Sequence, residues 1–244
     1  MKIGVYGLGR FGSFWATCLS GSFDVMAYSR NPDRKVPDGV TRVSEDEIIQ
    51  CETIFICVTI SAFEKVIKKI AEKIQPNTTV IDTCSVKVFP IQAMERNLPV
   101  GINIIGTHPM FGPDSGKNSI ERLPLVFCPV NASADINDYW KNVFISLGLS
   151  VHELSPEYHD REAAYTQGIT HFMGRVLGDL ELETSPIGTL GYQKLLEIIE
   201  QTCNDPFQLF IDLQKYNPFT GEMRSKLAES LQKVQNKLSE SLDS

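Results

Sequence analysis

The sequence is short of basic charge, of paired cysteines and of long apolar runs, and each shortage argues against a class of function. Acidic residues number 30 against 23 basic ones, a formal net charge of −7. A nucleic-acid binder carries a basic face towards phosphate, so this balance argues against a general nucleic-acid partner, though not against a local basic pocket for a phosphorylated cofactor. The cysteines, at positions 18, 51, 57, 84, 128 and 203, form no Cys-x-x-Cys pair, and Cys57 and Cys128 fall inside apolar runs. Free thiols in a reducing cytoplasm are expected, with neither a disulfide framework nor a zinc site. The opening run Lys2-Ile3-Gly4-Val5-Tyr6 is too short and too soon interrupted to read as a signal peptide. No apolar run approaches the ~18 residues of a membrane span, so no membrane partner is expected. Repeats and low-complexity tracts are also lacking.

What is present is an alternating pattern. Short apolar runs at 2–6, 24–29, 53–58, 79–82, 102–106 and 125–128 read as strands, and 10–19, 44–50 and 62–74 as helices. Ser44 with Glu47 three residues on has the form of a capping box, and Ser61 is placed to cap the helix 62–74. The run TIFICV at 53–58 is apolar almost throughout, as a strand buried on both faces is. The fold expected is α/β, a doubly wound Rossmann-type parallel sheet followed by a small all-helical domain. The boundary is set at 1–154 for the sheet domain and 155–244 for the helical one, with helices over 160–180, 192–203, 207–216 and 219–241. The last is amphipathic through Met223, Leu227, Leu231, Val234 and Leu238, and 239–244 is expected to fray.

Directly after the first strand comes Gly7-Leu8-Gly9-Arg10-Phe11-Gly12, opening a helix. In that position Gly7 permits a tight turn. Gly9 lets backbone approach a pyrophosphate at the helix N-terminus, and Gly12 lets helix and strand pack closely. A dinucleotide is the expected cofactor. An acidic residue at the end of the second strand would hold the ribose 2′-hydroxyl of NAD. Here stand Ser29-Arg30-Asn31, with no acidic residue until Asp33. A hydroxyl and a guanidinium suit a 2′-phosphate, so NADP is favoured over NAD, unless Arg30 is only a solvated loop residue. Val58 and Thr59 are read as further cofactor contacts.

Two other segments fall at strand ends, Asp82-Thr83-Cys84-Ser85-Val86-Lys87 and Gly106-Thr107-His108-Pro109. In open α/β sheets that edge binds ligands, which brings Ser85 and His108 towards a nicotinamide. His108, with an unperturbed pKa near neutrality, has the chemistry of a general base; a backbone-bonded structural histidine is the alternative.

The segment THPMFGPDSGK (107–117) resembles the histidine motif of the prephenate and arogenate dehydrogenase family of tyrosine biosynthesis. DTCSVK (82–87) is similar to that family's serine-containing strand end. His159-Asp160-Arg161 through Gln167 and His171 to Arg175 resembles its HD…H helix, and Gly191-Tyr192 through Asp205-Pro206-Phe207 its C-terminal helical region, most like the plant arogenate branch. The resemblance implies oxidative decarboxylation of a cyclohexadienol, arogenate or prephenate, to tyrosine or 4-hydroxyphenylpyruvate, with hydride passing to NADP. It implies that His108 accepts the hydroxyl proton, that Ser85 orients the hydroxyl, and that His171 and Gln167 bind substrate; His171 as a helix-interface histidine is the alternative. It also implies a homodimer through the helical domain; separately, the polar stretch 112–123, with Gly112, Pro113 and Gly116, reads as a candidate lid.

One departure stands out. Where prephenate-specific members carry an Arg before the Asp-Pro pair, this chain has Glu200. A carboxylate there favours the ammonium group of arogenate, unless Glu200 is merely solvated and Lys194 or Arg175 meets the substrate carboxylate. Two other readings fit the glycine turn. A β-hydroxyacid-type dehydrogenase would need a catalytic lysine, for which Lys194 is the candidate, and a non-catalytic NADP-binding sensor would bind cofactor without turnover.

Overall fold

A computed structural model describes residues 1–242. Its contacts divide the chain into two compact units, Met1–His159 and Asp160–Ser244.

In the first unit the sheet is built from β1 (Lys2–Tyr6), β2 (Asp24–Tyr28), β3 (Val40–Arg42), β4 (Thr53–Ile56), β5 (Thr79–Asp82), β6 (Asn103–Pro109), β7 (Pro124–Asn131) and β8 (Ser150–Glu153). The strand order is β3-β2-β1-β4-β5-β6-β7-β8. The first six strands run parallel, joined by α1 (Arg10–Ser20), α2 (Glu45–Ile48), α3 (Ile60–Ala71) and α4 (Val88–Asn97). The chain order reverses between β1 and β4, which makes a switch point at the carboxyl ends of those strands. β7 departs from the parallel expectation: it pairs antiparallel with β6, and β8 follows β7 in parallel. An apolar run buried on both faces looks the same in either direction, so the pattern carried no sign of the reversal. α5 (Ala134–Ser146) links β7 to β8 and is capped by Ser133, whose Oγ accepts from Ile136 N.

Beneath the sheet helices lies an aromatic core. Trp15, Phe55, Phe127, Trp140 and Phe144 are all buried. Phe55 meets Trp140 edge-on at 5.2 Å, a geometry worth about 0.5–1.5 kcal/mol beyond area burial. α2 opens with the expected box: Ser44 Oγ accepts from Glu47 N and the Glu47 carboxylate accepts from Ser44 N at 2.7 Å. α3 corrects the Ser61 expectation. Its N-cap is Thr59, which has extended backbone, and the helix begins at Ile60, whose side chain is buried. α4 begins Val88-Phe89-Pro90. The proline removes no bond, since the first four helical N–H groups have no intrahelical partner.

α6 (Pro156–Ala163) carries the division between the units. The second unit continues through one π-helical turn (Ala164–Gly168) into α7 (Ile169–Gly178), then α8 (Leu190–Cys203), α9 (Phe207–Tyr216) and α10 (Thr220–Leu242). α7 and α8 pack at Gly174, where a Cβ would lie 2.1 Å from Thr202 Oγ1. Asn217 Nδ2 donates to the Asp160 carbonyl at 2.7 Å and Thr220 Oγ1 to the Gln214 carbonyl at 2.8 Å, tying α6, α9 and α10. On α10, Met223 is buried and Leu227 half-buried, whereas Leu231, Val234 and Leu238 are exposed. Helix continues to Leu242, and the last two residues of the stretch expected to fray lie outside the described residues. Among the described residues, no helix is long and apolar enough to cross a membrane.

Candidate active site

The glycine turn has the geometry its spacing requires. Gly7 has φ +113°, and a Cβ there would sit 2.4 Å from the Cys57 carbonyl oxygen. A Cβ on Gly12 would lie 1.8 Å from the Gly7 carbonyl oxygen, so only glycine lets α1 press against the turn. Gly9 is the opposite case. It caps α1 without a side-chain bond, and a Cβ there would meet nothing within 4 Å. The backbone is thus bare where the α1 N–H groups and the positive end of its dipole emerge, which fits a pyrophosphate. Leu8 is buried, and the Phe11 ring stacks on Trp15 at 5.9 Å. These two side chains serve the core, leaving their backbone to face a ligand. Arg10 is exposed and forms a bidentate pair with Asp114 at 2.8 and 2.9 Å. That bond ties the turn to the candidate lid, which is further held by Gly116 N donating to the Gly112 carbonyl at 2.9 Å.

The neighbouring strand ends are laced to the turn. Gly7 N donates to the Tyr28 carbonyl and Cys57 N to the Tyr6 carbonyl, each at 2.9 Å. Ser29 and Arg30 follow β2, Ser29 half-buried and Arg30 exposed, and Ser29 Oγ accepts from Asn31 N. Val58 is half-buried and Thr59 exposed at the mouth of α3. A loop at 33–37 with Ser13 encloses a hollow beside this edge that exposes Arg34 and Lys35.

Ser85 and His108 lie on adjacent strand ends, held in place by charge. Asp82 and Lys87 form an ion pair with both side chains 0% exposed. Asp82 Oδ1 also accepts from Cys84 N at 2.8 Å and Oδ2 from Thr107 N, while Lys87 Nζ donates to the Thr107 carbonyl. Thr107 Oγ1 completes the ring with a 2.6 Å bond to the Asp82 carbonyl. A turn containing Ser85 is therefore pinned to the residue before His108. Sequence reasoning fixed on Ser85 and passed over this pair, though two charges five positions apart around buried Val86 were a visible signal.

His108 belongs to β6, two residues past the Gly106–Asp82 pairing, and is 3% exposed. Its Nδ1 lies 2.8 Å from Nε2 of His159, itself 2% exposed. Burial holds the His108 imidazole well below its ordinary value, and the neighbouring His159 and Lys87 add to the effect. A ring so placed is neutral at pH 7, which a base requires.

Gln167, His171 and Glu200 belong to the second unit. Gln167 sits in the π turn and His171 and Arg175 on α7, spaced i, i+4, i+8 along one helical row. Gln167 Oε1, His171 Nδ1 and Arg175 Nε are each buried with no hydrogen-bond partner. Burial, with a smaller contribution from Arg175, lowers the His171 pKa. Three unpaired polar atoms in one row are costly unless a ligand meets them. Arg175 also donates to the Asp205 carbonyl at 2.7 Å. Glu200 and Lys194 are exposed on α8.

The family model described as "Prephenate dehydrogenase, nucleotide-binding domain" matches residues 24–151, and one described as "TYRAAT1-like, C-terminal domain" matches 176–244. Arogenate dehydrogenase 1, chloroplastic, of Arabidopsis thaliana is 35% identical over 98% of this chain and 39% of its own length. Arogenate dehydrogenase 2, chloroplastic, of the same plant is 34% identical over 98% of this chain and 70% of its own length. The chain thus spans well under half of the first relative and about two thirds of the second. Among solved structures, prephenate dehydrogenase from A. aeolicus in complex with hydroxyphenyl propionate and NAD+ matches with TM-score 0.76 at 20% identity, over 98% of this chain and 92% of that one. Synechocystis arogenate dehydrogenase matches with TM-score 0.70 at 19% identity, over 98% and 93%. The glycine turn, the strand-end serine and histidine, and matches running the length of the chain agree: it belongs to the prephenate and arogenate dehydrogenase family, on the side of the plant arogenate enzymes.

Proposed function

We propose that this protein oxidatively decarboxylates arogenate to tyrosine with NADP as hydride acceptor. The observation that carries the reading is the neutral, buried His108 at a strand end, with the turn that carries Ser85 pinned to the preceding Thr107. A nicotinamide dinucleotide bound at that turn supplies the acceptor for the hydride at the substrate's hydroxyl-bearing carbon. His108 takes the hydroxyl proton, Ser85 orients that hydroxyl, and departure of the ring carboxylate as CO2 makes the ring aromatic. His171 and Gln167, with their unpaired buried atoms, supply polar contacts for substrate.

His108→Asn keeps the ring's approximate bulk but removes the base, so kcat falls at least ~100-fold while cofactor Kd holds. Unchanged turnover refutes the reading. The sign of the pH dependence follows from the lowered pKa. His108 loses its lone pair only when protonated, so the acidic limb of kcat/KM lies below the ordinary imidazole value of about 6.5.

NADP is supported by Ser29 and Arg30, with Arg34 and Lys35 exposed close by and no carboxylate at the strand end. Arg30→Ala lowers kcat/KM with NADP at least ~10-fold and leaves NAD nearly untouched, since a charge-assisted phosphate contact is lost. A wild type that prefers NAD overturns this choice. Arogenate is favoured by the exposed Glu200 carboxylate and by the names of the two plant relatives. The competing substrate, prephenate, is favoured by the unpaired Arg175 Nε; the ratio of kcat/KM for the two decides. The exposed row Leu231, Val234 and Leu238 supports a homodimer through the helical unit, measurable by sedimentation. Six free thiols support a reducing compartment such as the cytoplasm.

A further inference from the structure

The histidine pair carries more than the identity of a base. A 2.8 Å N···N contact between two imidazoles holds one proton, with one ring donating and the other accepting. The rings meet edge-on, at 74° and 5.1 Å between centroids, so the contact is made in the ring planes where the lone pairs and N–H bonds point. If His159 donated, His108 would carry its own proton on Nε2 and could accept none from substrate. If His108 donates from Nδ1, its Nε2 is left with the lone pair. Only the second arrangement is compatible with His108 as the base, so the inference rests on the reading given under the proposed function.

The stoichiometry allows a second role. A substrate with an ionised ring carboxylate and the oxidised cofactor give a phenol, CO2 and the reduced cofactor, with no net proton released. As the C–H pair leaves as hydride, the O–H pair becomes the second bond of a carbonyl and the proton goes to His108 Nε2. As the bond to CO2 breaks, its pair moves through the ring to the carbonyl oxygen, which takes the proton back. The balance thus lets the same proton stay on the base between the two events, and burial keeps it from water. Both rings are almost wholly buried.

We infer that His159 is a positioning residue: its Nε2 accepts the His108 Nδ1 proton, fixing the base in the competent tautomer, and the two rings share the stored proton until CO2 departs. Lys87 also acts on the His108 ring, and its charge is satisfied by Asp82 and the Thr107 carbonyl.

The test combines spectroscopy with kinetics. In protein labelled with 15N-histidine, long-range 15N–1H correlation of the cofactor-free wild type at neutral pH assigns His108 as protonated on Nδ1 and bare on Nε2. The opposite tautomer overturns the inference. His159→Leu lowers kcat by about 100-fold or more, in line with loss of a positioned base, while cofactor Kd is unchanged. His159→Gln, whose amide oxygen can accept the same Nδ1 proton, recovers at least tenfold over the leucine variant. A leucine variant within threefold of wild type, or a glutamine variant no better than leucine, refutes it. The wild-type spectrum decides even where a variant does not fold. It also needs no substrate, so a protein that turns over neither cyclohexadienol yet shows the Nδ1–H tautomer would sink the proposed function and not the pairing.

Discussion

Replacing Lys87 with methionine removes one half of an ion pair that has no access to water. The methionine fills similar volume, so the change is chiefly electrostatic. Asp82 keeps its bonds from Cys84 N and Thr107 N but loses the cation that balances its charge. Breaking a fully buried pair from one side costs about 3–5 kcal/mol, because an uncompensated charge remains. For a chain of this size each kcal/mol moves Tm by roughly 2–4 °C, so the expected fall is about 6–20 °C. The carboxyl can escape by taking a proton. Burial already pushes Asp82 above the usual carboxylate range, with Lys87 the chief opposing influence, so the variant's folded pKa rises further. A group raised above its unfolded value of about 3.9 contributes full stability below that value and loses it as pH climbs through the folded pKa. The deficit is therefore larger at about pH 8 than at about pH 5. Asp82→Asn in the same chain removes the second charge and recovers more than half of the loss. Thermal unfolding followed by circular dichroism at both pH values measures all of this. A fall under about 3 °C at both, or a double variant no more stable than the single, refutes the account of the pair as the clamp between the Ser85 turn and β6.

Two glycines give sharper steric tests. Gly12→Ala places a methyl 1.8 Å from a backbone oxygen that no rotamer change can move, so cofactor affinity falls more than ~10-fold and Tm drops, despite the ~1 kcal/mol alanine gains as a helix former. Wild-type affinity by titration calorimetry refutes it. Gly174→Ala drives a methyl to 2.1 Å from Thr202 Oγ1, an overpacking worth about 1–3 kcal/mol in thermal unfolding. Adding Thr202→Ala removes the obstructing hydroxyl and methyl and restores part of that loss; no recovery would show that the helices part for another reason.

The parts of the fold that the sequence made readable were those fixed by local chemistry. The run at 53–58 is a strand buried along its length because nothing polar interrupts it, and Ser44 with Glu47 forms its box because both bonds are local. β3 and β8 are three and four residues long and owe their form to pairing with β2 and β7, which periodicity does not report. α4 was hidden by a strand-like Val88-Phe89 start and a proline harmless in a first turn. In the site, Ser85 and His108 could be placed because both end strands. The role of His159 could not, since it depends on contact across 51 positions that only the fold supplies.

The brevity of β8 has a consequence for helical phase. β6, β7 and β8 are level at Thr107, Phe127 and Glu153, and there β8 stops. Leu154 N still bonds the Phe127 carbonyl, and α6 begins two residues later, at Pro156. From Glu153 to His159 the chain has a fixed length, and each residue of α-helix turns the side chains by about 100°. One residue added before Pro156 would swing the His159 ring a quarter turn or more away from His108 while every strand stayed paired. The link from strand to helix therefore works as a ruler: its length, with Ser155 capping the first turn, sets which side chain of α6 faces the base.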